Sequence, residues 1–129
     1  MNIPQNLFYT KDHEWARIEG KTAYVGITDY AQESLGDITF VQLPKAGDTL
    51  RQSEFCATVE SVKAASDVYS PFSGKVLSVN QEPCEHPELI NESPYEKGYF
   101  FIMELSSEAE KAKLMDAQSY RSYVEGLSK

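Results

Sequence analysis

Residues 55–71 read Phe55-Cys56-Ala57-Thr58-Val59-Glu60-Ser61-Val62-Lys63-Ala64-Ala65-Ser66-Asp67-Val68-Tyr69-Ser70-Pro71. Phe55, Ala57 and Val59 alternate with Cys56, Thr58 and Glu60, the two-residue period of a half-buried strand. Residues 68–70 predict a second, short strand, which Pro71-Phe72-Ser73-Gly74 stops. Between the two, Glu60 to Asp67 reads as a hairpin tip carrying Lys63. Rigid strands fix the base of a flexible lysine stem, and the small side chains of Ala64, Ala65 and Ser66 leave room around its amine. Acylation there would remove a charge and leave a long amide-linked arm. Taken alone, these neighbours describe an ordinary surface lysine at least as well. A Schiff-base role is disfavoured, because that chemistry needs an amine made neutral by desolvation or by a nearby cation. Glu60 and Asp67 would instead keep it protonated.

The alternation extends outward in both directions. Residues 13–19 set Trp15 and Arg17 on one face against Ala16 and Ile18 on the other, Glu19-Gly20-Lys21 supplies a turn, and Ala23, Val25 and Ile27 repeat the apolar face. Thr28 is placed to cap a short helix through Leu35, with Asp29 at its positive end and Gly36 suited to a left-handed stop. Residues 38–43 return to strand character before the turn at residues 44–48. Residues 76–79 predict another strand. Residues 83–95, with three prolines, read as a surface loop with a helical turn near residues 88–90, and residues 99–105 as a late strand. Ser107 and Glu110 have the spacing of a capping box. Ala117, Tyr120, Val124 and Leu127 follow at helical spacing, which predicts a C-terminal helix with one face packed on the body. Gly20-Lys21 and Gly74-Lys75, each followed by a strand, form a faint internal echo. The expected class is all-β, a barrel or sandwich of many short strands with peripheral helices.

At 129 residues the chain suits one domain. Hydrophobic residues at 41%, with eight tyrosines and six phenylalanines, support a packed core. Twelve basic against twenty acidic residues leave a net charge of −8. With no basic cluster, such a surface is repelled by a phosphate backbone, which excludes nucleic acid as the expected partner. The acidity has two readings, steering toward basic mouths of partner enzymes or simple solubility. No run has the length and apolarity of a membrane span, and the first residues do not read as a signal peptide, so the expected location is the cytoplasm. Two cysteines, Cys56 and Cys84, are too few for a disulfide framework and read as thiols.

The residues quoted next carry a resemblance over nearly the whole chain. They are Tyr9-Thr10-Lys11-Asp12-His13-Glu14-Trp15, Val25-Gly26-Ile27-Thr28-Asp29-Tyr30-Ala31 and Leu35-Gly36-Asp37-Ile38. Further on come Val59 to Pro71, Ser73-Gly74, Pro87-Glu88-Leu89-Ile90-Asn91, Ser93-Pro94-Tyr95 and Asp116-Ala117. In order and spacing the chain resembles the H protein family of the glycine cleavage system. That resemblance implies a flattened barrel of the lipoyl and biotinyl type, a barrel-sandwich hybrid with short peripheral helices and a C-terminal helix. It places the barrel core at about residues 20–105 and the helical extension at about residues 107–127 of one domain spanning 1–129. It implies lipoate joined to Lys63 as N6-lipoyllysine. The arm would take an aminomethyl group from the glycine-decarboxylating P protein to the aminomethyltransferase T protein. As dihydrolipoyl it would then pass to the dihydrolipoamide dehydrogenase, the L protein. Lipoate-attaching or lipoyl-transfer enzymes are further implied partners.

The resemblance also implies a cleft in which Glu14 and Asp67 receive the amine, with Asp12 near the first; the alternative is that both are ordinary solvated acids at strand ends. His13 has the alternatives of an orienting hydrogen-bond residue or a core-edge imidazole. A His13–Glu14 dyad is disfavoured because neighbours on a strand point to opposite faces. Tyr95, Tyr99, Phe100 and Phe101 read as core packing rather than an interface. Glu96-Lys97-Gly98-Tyr99 departs from the glycine-rich turn and tryptophan common in the family. No catalytic residue and no metal site is expected, since neither a nucleophile–base pair nor a ligand cluster stands out. A non-catalytic carrier acting as a monomer is the expected function, with a lipoyl relay to other enzyme systems as the rival.

Overall fold

A computed structural model describes residues 1–127. Among the described residues nine strands form two antiparallel sheets. The larger contains β1 (Phe8–Tyr9), β2 (Glu14–Glu19), β3 (Thr22–Ile27), β5 (Thr49–Leu50), β8 (Gly74–Val79) and β9 (Phe101–Leu105), in the order β1-β2-β3-β9-β8-β5. The smaller contains β4 (Ile38–Gln42), β6 (Phe55–Ser61) and β7 (Ala65–Tyr69), in the order β4-β6-β7. Ala16, Val25 and Met103 from the first sheet meet Val41, Val59 and Val68 from the second in one core. Two sheets on one core with peripheral helices match the all-β class read from the residues and the flattened lipoyl/biotinyl-like barrel that the resemblance implies.

The β2–β3 hairpin follows its pattern. Arg17 pairs with Tyr24 across the strands, its guanidinium 4.2 Å above the ring, and Gly20 turns the chain at a φ of 64°. Ahead of residue 20, β1 and β2 already belong to the large sheet, and Ala16 lies in its core. Helix α1 (Asp29–Leu35) begins at Thr28, whose hydroxyl accepts the Ala31 amide at 3.2 Å. Gly36 ends it with φ 80° and ψ −157°, a positive φ but not the left-handed helical conformation.

Other segments also differ from the sequence-based expectation. A register shift between Phe55 and Ala57 puts Cys56 and Ala57 both inside and leaves Phe55 51% exposed, so the bulge breaks the alternation. Residues 83–95 carry the expected helical turn, as α3 (Glu88–Glu92), but they also contribute to α2 (Glu82–Glu85), and Ile90 is fully buried where a surface loop was expected. Glu110 does not close a capping box. Ser107 accepts the Ala109 amide and starts a 3-10 helix (Glu108–Lys113), while the Glu110 carboxylate accepts the Ser73 amide and hydroxyl at 2.7 Å each. After a bridge between Met115 and Tyr9, α4 (Ala117–Leu127) starts separately, Asp116 accepting the Ser119 amide at 2.8 Å. Ala117, Tyr120 and Val124 bury against Ile3, Leu7, Tyr9, Trp15 and Tyr95 in a second core; Leu127 stays 47% exposed. Among the described residues no helix is long and apolar enough to cross a membrane.

Candidate functional site

Strands β6 and β7 form a hairpin in register from Thr58–Asp67 to Glu60–Ala65, and Lys63 stands in its tip. Ser61 organises the turn. Its amide donates to the Ala64 carbonyl at 2.8 Å, and its hydroxyl oxygen accepts the Ala64 and Lys63 amides at 3.1 and 3.3 Å. The tip is also tied to the body, because the Val62 amide donates to the Asp37 carbonyl at 3.1 Å. Val62 itself is 71% exposed. Lys63 is exposed, and among the described residues its amine enters no ion pair. Its stem passes over the α1–β4 corner: a side-chain carbon at Gly36 would meet Lys63 Cε at 3.6 Å.

Glu14 is not a solvated acid at a strand end. It is 1% exposed and sits where the start of β2 meets the outer edge of β7. The Thr10 hydroxyl donates to Oε1 at 2.5 Å and the Tyr69 amide to Oε2 at 3.0 Å. The Glu14 amide in turn donates to Thr10 Oγ1 at 3.0 Å. Burial pushes the carboxyl up to about 7; the bonds from Thr10 and Tyr69 pull the other way and the charge of Asp12 adds a little. Asp67 is exposed and lies on β7 two residues from Tyr69, about 7 Å along the strand. The fold thus brings Glu14 and Asp67 to one stretch of the strand that leads from Lys63, one carboxyl buried and the other open to solvent.

His13 lies before β2, with a φ of 71°. Its Nδ1 is 2.8 Å from the Tyr120 hydroxyl, and its ring packs on Tyr30 with centroids 4.5 Å apart. Burial holds the imidazole below its ordinary range, against a smaller opposing effect of Asp12. Tyr120 also bonds Thr28 Oγ1 at 2.8 Å. His13 is therefore a core-edge imidazole linking α4 to the cap of α1. His13 and Glu14 hydrogen-bond to separate partners and form no dyad. Among the described residues no group of three or more His, Cys, Asp or Glu is arranged to hold a metal ion. Cys56 is buried and Cys84 exposed, both as free thiols. Tyr95, Phe100 and Phe101 are core residues, and Tyr99 packs edge-on to Tyr24 at 5.1 Å.

Sequence reasoning missed Thr10 and the Tyr69 amide as partners of Glu14. Thr10 was within reach of a local rule, four residues before an acid in a turn. The Tyr69 contact, 55 residues away, left no local signal.

The model of the glycine cleavage H-protein family matches residues 7–126. The chain is 51% identical over 125 residues to a glycine cleavage system H protein of Halothermothrix orenii, covering 97% of this chain and 98% of that one. It is 52% identical over 124 residues to the H protein of Brevibacillus brevis, covering 96% and 98%. A crystal structure of a glycine cleavage system H protein from Mycobacterium marinum superposes with a TM-score of 0.84 at 38% identity, covering 93% of this chain and 97% of that chain. The chain therefore belongs to the glycine cleavage H-protein family, the non-catalytic lipoyl carriers of the glycine cleavage system.

Proposed function

We propose that Lys63 is the lipoyl attachment residue and that the arm built on it serves the P, T and L proteins in turn. The observation that carries this reading is the hairpin tip itself, which presents an exposed lysine amine from a turn held by Ser61 on one side and Asp37 on the other. A primary amine without an ion partner among the described residues, beside Ala64 and Ala65, fits an amide-linked group and an attaching enzyme's approach. When bound, lipoate supplies a dithiolane that carries a group on sulfur and cycles between disulfide and dithiol.

The residues of the chain supply attachment, reach and a resting place. Two strands fix the base of the arm, so its far end has a high effective concentration at any site it can span. Asp67 offers an exposed carboxylate along the same strand to a cationic amine carried on the arm. Glu14 offers a second acid behind it, buried, and ionised more fully when a cation comes near. The catalytic groups belong to the partner enzymes, and the reading has the carrier working as a cytoplasmic monomer.

Intact mass and peptide mapping of protein from its native cell test the attachment. The expected result is one lipoyl adduct on Lys63, absent in Lys63→Arg, together with exchange of the glycine carboxyl carbon with bicarbonate when P protein is added. Unmodified Lys63 in cells that lipoylate other proteins would refute the assignment. Full modification without exchange would favour the relay reading.

A further inference from the structure

We propose that Asn91, remote from Lys63 in sequence, is a positioning residue that holds the seat of the Lys63 turn. The inference rests on the reading of Lys63 as the attachment residue.

Asn91 lies in α3, a short helix anchored by the buried Ile90. Its Oδ1 accepts the Ile38 amide at 2.9 Å, and its Nδ2 donates to the Gly36 carbonyl and to Gln32 Oε1, each at 2.9 Å. One donor–acceptor side chain thus clamps both residues that bracket Asp37. A flipped amide would face its NH2 to the Ile38 N–H and its oxygen to two oxygens, so the partners fix the orientation. Asp37 is the residue whose carbonyl takes the Val62 amide, and Gly36 is the residue over which the Lys63 stem runs. The α1–β4 corner has a positive φ at Gly36 and a register irregularity between Ile38 and Phe40. Regular pairing therefore does not hold this corner alone. Without the Asn91 clamp the Asp37 carbonyl loses its fixed aim, and the tip loses its hydrogen bond to the body while Ser61 keeps the local turn.

An enzyme that modifies Lys63 then meets a mixture of seated and unseated tips. Only the seated fraction binds productively, so the loss is felt in apparent affinity and not in the chemical step.

The test uses full-length unlipoylated protein with lipoate, ATP and a lipoate-attaching ligase, comparing wild type, Asn91→Ala and Asn91→Asp. KM for the carrier is expected to rise roughly three-fold in both variants, with kcat within about two-fold of wild type. Amide hydrogen exchange supplies a readout that general destabilisation does not reproduce. Val62 should exchange about ten-fold faster in both variants, while Val59, in the central strand of the same sheet, is unchanged. Ile38 should quicken in Asn91→Ala and stay protected in Asn91→Asp, which keeps the acceptor. Unchanged KM and Val62 exchange, with wild type modified at Lys63, overturn the inference alone. Equal acceleration at Val59 and Val62 also overturns it, since Asn91 would then be merely structural. A wild-type protein left unmodified at Lys63 overturns the functional reading and, with it, the inference.

Discussion

Replacing Glu14 by glutamine isolates the energetic consequence of burying a carboxyl between β2 and β7. The folded protein raises this group from 4.5 to about 7, chiefly by burial, and the residue is 1% exposed, so solvent screening is slight. A carboxyl whose folded pKa exceeds its unfolded value holds its proton more tightly when folded. Its contribution is fully present below about pH 4.5 and is lost as pH rises through about 7. At about 1.4 kcal/mol per tenfold change in proton affinity, the whole effect is about 3 kcal/mol. Between about pH 5 and about pH 8 most of it, about 2 to 3 kcal/mol, disappears. Glutamine is neutral throughout; its oxygen can accept the Tyr69 amide and its NH2 can donate to Thr10 Oγ1. Urea unfolding of wild type and Glu14→Gln across that range should therefore show the variant gaining on wild type as pH rises. His13, held below its ordinary value, contributes the opposite slope below about pH 6.5, but it is common to both proteins and cancels in the difference. A flat difference, or one that favours wild type at high pH, would refute the reasoning.

Three other perturbations probe the frame around the site. Gly26→Ala would set a carbon 2.8 Å from the buried indole of Trp15; a loss of about 1 to 3 kcal/mol is expected, read from the urea midpoint, with a shift in the emission of the single tryptophan. Tyr120→Phe keeps the stack on Tyr9 at 4.6 Å but removes the hydroxyl between His13 and Thr28. It should cost about 1 to 3 kcal/mol by thermal unfolding, and an unchanged midpoint would show that the bridge is idle. Glu110→Ala strips Ser73 of both its bonds to the carboxylate; about 1 to 3 kcal/mol should be lost, with faster exchange at the Ser73 amide.

Sequence was most informative where a single local rule governs. The alternation of Ala23, Val25 and Ile27, the cap at Thr28 and the exposed position of Lys63 each depend on residues a few positions apart, and each stands in the structure. The tip is shorter than the Glu60–Asp67 read from the sequence: β6 runs to Ser61 and β7 begins at Ala65, so Asp67 lies in the strand. It was least informative where a distant partner takes over a local signal. Glu110 has the spacing of a capping box, yet Ser73, 37 residues away, takes its carboxylate. Phe55 has the right parity for the core, but the bulge next to it transfers that place to Cys56. The prolines at residues 83–95 suggested a loop, whereas Pro83 lies in the first turn of α2, where a missing amide costs nothing. For the site the pattern repeats. Lys63 is visible because the hairpin is local; the burial of Glu14 and the clamp of Asn91 depend on contacts across 55 and 53 residues.

The placement of Cys56 has a consequence for chemical compatibility. A protein built to bear a disulfide-forming cargo must not become a reactant toward it. Exchange begins with attack by a thiolate, and its rate falls with the thiolate fraction and with access to the sulfur. Cys56 is 5% exposed. Burial drives its thiol well above the ordinary range, and the nearby carboxylates Glu14 and Glu54 push it further. Cys84, though exposed, is also raised, by partial burial and by Glu85. The same interior that lifts the proton affinity of Glu14 thus leaves Cys56 inert as a sulfur nucleophile, a bystander to whatever redox cycle passes over the carrier's surface.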